Sequence, residues 1–169
     1  HVYDAIEVTV CSFLGFQGVC AHQKLNAVWD AITVCDYVWQ CVETPGHTVG
    51  HTCLYDPSRK LLIAGDHLLI DITPNIQCWS DTQNPLKHYL ASLDKVARLQ
   101  VDLILPGHRR LIKDHEGRIT ELKQHHANRL NEVLKILEGA PLNAFQIASR
   151  MTWDIKAKSW DHFPVAQRW

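Results

Sequence analysis

The chain has 169 residues, 46% of them hydrophobic, which suits one ordinary domain able to build a core. Its 17 Lys and Arg stand against 18 Asp and Glu, a formal net of -1, so the basic excess that nucleic-acid binding needs is missing. No apolar run is long enough to span a bilayer and no basic region precedes an apolar one at the N-terminus, so a soluble, cytoplasmic protein is expected.

Residues 1–32 show no clean period. From Ala31 to Thr44, AITVCDYVWQCVET is rich in β-branched and aromatic residues and predicts one or two strands. HTCLYD and KLLIAGD predict two more strands, joined as a hairpin through a turn centred on Pro57 and Ser58. NPLKHYLASLDKVARLQ predicts a helix capped by Asn84, with Pro85 in its first turn and Leu86, Leu90, Leu93, Val96 and Ala97 on one face. VDLILP is a near-continuous apolar run, as in a buried strand. A second helix is expected from about Glu116 to Glu138, with Ile119, Leu122, Leu130, Val133, Leu134 and Leu137 as its apolar face and Gly139 ending it in the left-handed conformation. A third starts at Asn143. Strands, helix, strand, helix, helix is the order of a mixed α/β layer fold.

Six cysteines (Cys11, Cys20, Cys35, Cys41, Cys53 and Cys78) form no Cys-x-x-Cys pair, and most sit in apolar, strand-like contexts. Reduced thiols are therefore expected. Eleven histidines are the unusual count, because histidine is the commonest metal ligand.

Three apolar strands each stop at a glycine followed by a metal-binding residue type. ETPGHT carries His47, LLIAGDH carries Asp66 and LILPGH carries His108, behind Gly46, Gly65 and Gly107. Strand ends hold side chains firmly at an open edge, where α/β proteins place their sites. Two histidines and a carboxylate suit zinc, manganese or iron, provided the three loops converge. Asp66 is the natural bridge between two ions, since one carboxylate can span a metal pair. His125 and His126 project about 100° apart on a helix, so they do not chelate one ion and are expected to pack or to face solvent.

TPGHTVGH, followed by LLIAGDHLL and then LILPGH, closely resembles the metallo-β-lactamase superfamily, in particular the metallohydrolase branch that also holds glyoxalase II-like thioesterases. The resemblance runs from about Val38 to about Arg150. It implies an αββα sandwich, of which this chain would supply the second half. Residues 1–138 would form a partial hydrolase domain, and 139–169 a helical, winged-helix-like appendage. It implies a dinuclear site with His47 as a ligand of the first metal, Asp66 as the bridging aspartate and His108 as the last histidine, on the second metal. Zinc, two ions per complete site, is the implied cofactor, with manganese or iron as alternatives. By the same pattern His51 is not a ligand and instead packs or hydrogen-bonds behind His47. His67 is expected at the surface or behind the ligands, and Trp79 beside the cleft. The implied reaction is hydrolysis, a metal-bound hydroxide attacking an ester, thioester or related bond. The alternative is a non-catalytic relative that binds a ligand or partner through the same cleft. The expected partners are a small-molecule substrate and further copies of the same chain, not nucleic acid or membrane.

The superfamily's His-x-His-x-Asp-His motif is absent, and His22 stands isolated. The expectation is that His1 is the last histidine of that motif and that the sequence is cut immediately upstream. Full activity is not expected from the residues present. The aromatic tail with Trp153, Trp160, Phe163 and Trp169 is expected to pack on segments beyond this sequence.

Overall fold

A computed structural model describes residues 31–34, 36–76, 78, 84–154 and 160–163. His1, His22, Trp79, Trp169, Cys11, Cys20 and Cys35 lie outside them. The β-branched and aromatic run yields two strands, β1 (Ala31–Val34) and β2 (Tyr37–Glu43), paired antiparallel. β3 (Thr52–Asp56) and β4 (Leu61–Gly65) form the expected hairpin. Asp56 builds its turn. One carboxylate oxygen accepts from the Ser58 amide (2.9 Å), the Ser58 hydroxyl (2.6 Å) and the Arg59 amide (3.2 Å), and the other accepts from the Arg59 guanidinium (2.6 Å).

Helix α1 (Pro85–Val96) begins as read, with the Asn84 side chain accepting from the Lys87 amide at 3.0 Å. It carries the chain over to β5 (Leu103–Pro106), which pairs parallel to β4. The five strands form one sheet in the order β1-β2-β3-β4-β5. β2 is antiparallel to β3, β3 to β4, and β4 is parallel to β5, so β2, β4 and β5 all point the same way. Their C-terminal ends, each followed by one of the glycine-led motifs, therefore share one edge of the sheet.

Side chains alternate across the sheet as a two-residue period demands. Val42, Cys53, Tyr55, Leu62, Ala64 and Ile104 face the helices and join Tyr89, Leu93 and Val96 of α1 with Ile119 and Leu122 of α2 (His115–Leu137). Trp39, Cys41, Leu54 and Ile63 form a second buried cluster. At roughly 25 cal/mol per Å² of apolar surface, burial of this order is the main term holding the sheet and helices together.

Several expectations need correction. In α1 the centre of the buried face is Tyr89, with Ser92, Leu93 and Val96, whereas Ala97 is exposed at the helix end. In α2 the core takes only the first two turns, and Leu130 and Leu134 stand 46% and 63% exposed. The later turns, from Gln124 on, belong to the second of two compact units. Gly139 does not adopt a positive φ; the helix ends with the Glu138 amide bonded back to the Lys135 carbonyl. None of the helices described is long and apolar enough to cross a membrane.

The chain divides into two compact units, one up to Lys123 and one from Gln124. Within the second, α3 (Ala144–Ala148) opens on a reciprocal cap between Asn143 and Gln146. The aromatic tail packs on itself: Trp160 lies 4.9 Å from Phe163 and 5.5 Å from Phe145, centroid to centroid, and Trp153 lies 6.1 Å from Phe163. The guanidinium of Arg129 sits 4.6 Å over Trp153. His125 is exposed and His126 half-buried, with rings 5.2 Å apart and nearly perpendicular.

Candidate metal centre

The ETPGHTVGH stretch is a closed loop. The Thr44 amide donates to the His51 carbonyl at 2.8 Å, and the Thr44 hydroxyl meets His51 Nδ1 at 2.7 Å, so the two ends of the loop are tied twice. His47 lies between them in the chain, and α1 braces the loop's first end. The Ser92 hydroxyl donates to the Pro45 carbonyl at 2.8 Å, and Lys95 Nζ to the Glu43 carbonyl at 2.6 Å. Gly46 runs so close to α1 that a β-carbon there would lie 2.5 Å from Tyr89 Cβ.

Asp66 follows Gly65, whose φ of 49° turns the chain off β4. His108 follows β5, after which Ile112 folds back to exchange two main-chain hydrogen bonds with Ile104 (2.9 and 3.1 Å). His108 thus stands on a tight protruding turn and is 67% exposed, against 26% for His47 and 28% for Asp66. Gly107 is needed for space. Its amide bonds to the Gly65 carbonyl at 2.8 Å, and a β-carbon there would fall 2.5 Å from Asp66 Oδ1.

The edge brings the three motif residues together. His47 Nε2 lies 3.6 Å and His108 Nε2 3.5 Å from the same oxygen, Asp66 Oδ2. Both separations exceed a hydrogen bond. They match instead the spacing of about 3.4 Å between two donor atoms that each stand about 2.1 Å from a shared ion in tetrahedral geometry. His47 Nδ1 lies 2.7 Å from the Asn75 carbonyl. A carbonyl can only accept, so Nδ1 carries the proton, and in the neutral ring the lone pair of Nε2 is left facing Asp66. Among the described residues no three His, Cys, Asp or Glu side chains are grouped to hold one ion by themselves. The donors nonetheless fit a divalent metal in another way: a carboxylate with one imidazole on each of two loops is what a bridging ligand requires.

Behind this edge lies a buried row of rings. His47 and His51 are 6.3 Å apart, His51 and His67 5.9 Å, and His67 and Tyr89 5.2 Å. Burial, reinforced by the charge His47 would carry, pulls the His51 pKa down to about 4. Burial likewise drives His67 well below its ordinary range, with His51 adding to the effect. Both rings are therefore neutral at pH 7. His51 is buried beside His47, as the resemblance implied. His67 is not at the surface: its side chain is fully enclosed and its main-chain carbonyl accepts from the Tyr89 hydroxyl at 3.0 Å. Cys53 lies deeper still, its thiol pushed up to about 12 by burial, against the opposing hydrogen bond of Thr44 at 3.3 Å.

Tyr89, Ser92 and Asn75 are contributors that sequence reasoning missed. Tyr89 was findable, since it lies four and seven residues before Leu93 and Val96 on the helix's inner face. Asn75 acts through its main-chain carbonyl, which no side-chain pattern announces.

Residues 38–108 match the family model of the metallo-β-lactamase superfamily. Over 118 residues the chain is 26% identical to the probable metallo-hydrolase YqjP of Bacillus subtilis, covering 67% of this chain and 37% of that protein. The crystal structure of a metallo-β-lactamase family protein from Thermus thermophilus superposes with a TM-score of 0.68 at 36% identity, over 72% of this chain and 40% of the other. A β-lactamase domain protein from Burkholderia ambifaria gives 0.70 at 30% identity, over 77% and 41%. The chain thus spans 37–41% of the length of these relatives. The matched stretch reaches from β2 to His108 and so holds all three glycine-led motifs and the sheet edge that gathers them; the chain belongs to the metallo-β-lactamase superfamily.

Proposed function

We propose that His47, Asp66 and His108 are ligands of a two-zinc centre, with Asp66 bridging, and that the whole protein is a metal-dependent hydrolase of an ester, thioester or related bond in a small molecule. The approach of His47 Nε2 and His108 Nε2 to one oxygen of Asp66 carries this reading. Bound there, divalent ions would polarise the scissile carbonyl and lower the pKa of a water.

The chain's own residues make the place ready. The Asn75 carbonyl fixes the His47 proton on Nδ1, so the ring presents Nε2 without having to rotate or change tautomer. The Asp66 carboxylate supplies negative charge between the two histidines. His51 and His67, kept neutral by burial, put no cation behind the ligands to repel a metal. Gly107 leaves the carboxylate room. We place the protein in the cytoplasm, where a buried thiol such as Cys53 stays reduced.

The test is turnover of a panel of aryl esters and alkyl thioesters by the full-length protein. Hydrolysis should disappear on chelation, return with zinc, and fall at least about a hundredfold in Asp66→Ala, more than is usual for residues that only support a ligand. Equal turnover with chelator and in Asp66→Ala would remove the proposal.

A further inference from the structure

Ten residues of irregular chain, from Asp66 to Asn75, link two sides of the site. The first supplies the carboxylate and the last supplies the carbonyl that holds His47 Nδ1. The position of both depends on what holds this loop, and much of its anchoring comes from α2. Arg118, only 11% exposed, donates through Nε to the Leu69 carbonyl and through Nη2 to the Ile72 carbonyl, both at 2.7 Å. Its remaining arm reaches Glu121 at 2.8 Å. Between the two carbonyls lies Asp71, at a φ of 65° that a non-glycine residue rarely adopts. Arg110 grips its carboxylate with two bonds of 3.1 and 2.8 Å. The arginines themselves are rooted. Arg118 stands one residue before Ile119, a member of the main core, and Arg110 lies in the turn between His108 and the main-chain pairing of Ile112 with Ile104.

We propose that Arg118 is a positioning residue of the metal centre: it holds the Asp66–Asn75 loop so that the Asp66 carboxylate and the Asn75 carbonyl reach the His47 ring together. This rests on the metal reading given above. The guanidinium presents Nε and Nη2 in a rigid fork that meets the Leu69 and Ile72 carbonyls together, whereas the compact, strongly hydrated ammonium of lysine matches that spacing incompletely.

The experiment uses full-length protein with labelled histidine, metal-free and titrated with zinc, comparing wild type with Arg118→Met, Arg118→Lys and Lys123→Met. The last removes the Lys123–Asp94 ion pair from the same helix and serves as the control. Long-range proton–nitrogen spectra of the metal-free protein read the His47 tautomer. Wild type should show the proton on Nδ1. Arg118→Met should lose that signal to mixed tautomers or fast exchange, keep its far-UV circular dichroism, and bind zinc about ten- to a hundredfold more weakly. Arg118→Lys should fall between, and Lys123→Met should match wild type. An Arg118→Met variant that keeps the Nδ1 proton and wild-type zinc affinity overturns the proposal, as does an equal loss in Lys123→Met. If wild type binds no zinc, the metal reading alone fails, and the tautomer still decides the role of Arg118. If Arg118→Met does not fold, Arg118→Lys carries both readouts.

Discussion

A hydrogen is the only side chain at position 107 that leaves the Asp66 carboxylate in place, because a β-carbon would come within 2.5 Å of its Oδ1. Gly107→Ala is therefore expected to displace the proposed bridge directly. It should weaken zinc binding with little loss of stability, because the atom it displaces is the free end of a partly exposed side chain. Urea unfolding together with a zinc titration checks both, and a variant with wild-type affinity would show that the carboxylate is not held where the structure has it. The sequence pointed to a glycine before each of His47, Asp66 and His108 but not to the separate causes. Gly65 turns with a positive φ, Gly46 combines a positive φ with close passage against Tyr89, and Gly107 faces a carboxylate. The residue types that could bind metal were legible because three apolar strands in turn end at a glycine followed by an imidazole or a carboxylate. The groups supporting them were not, because the Asn75, Pro45 and His67 acceptors are main-chain carbonyls.

Among the elements, the β3–β4 turn makes a pH prediction with a definite sign. Hydrogen bonds from the Ser58 side chain first, and from the Arg59 side chain next, hold the Asp56 carboxyl at about 2, below its ordinary 3.8. The unfolded chain then takes up the proton more readily than the folded one. The turn's contribution is complete above about pH 4 and is lost as pH falls towards 2. Asp56→Asn should consequently unfold with a shallower dependence on pH over that interval, measured by denaturant melts at stepped pH. An identical slope in the two proteins would show that this carboxylate is not held as described. Strands and α1 were readable because period-two and helical spacing decide which face meets a core. The later half of α2 has the same apolar spacing, yet Leu130 and Leu134 are exposed. Periodicity identifies a face that can be buried, not whether anything covers it.

At the scale of the whole molecule the site is a product of topology. Two antiparallel steps and one parallel crossover turn β2, β4 and β5 the same way, so motifs far apart in sequence meet at one edge. The strand order that achieves this was only partly legible, since the parallel pairing of β4 with β5 depends on α1 crossing the sheet between them. In the proposed centre Asp66 bridges two ions whose other ligands include His47 and His108. Metal content per chain decides it most directly, by elemental analysis of full-length protein purified without chelator, alongside His47→Ala, Asp66→Ala and His108→Ala. Close to two zinc ions are expected in wild type, with a partial loss in either histidine variant and loss of both ions in Asp66→Ala. Metal content unchanged in Asp66→Ala would contradict the bridging role.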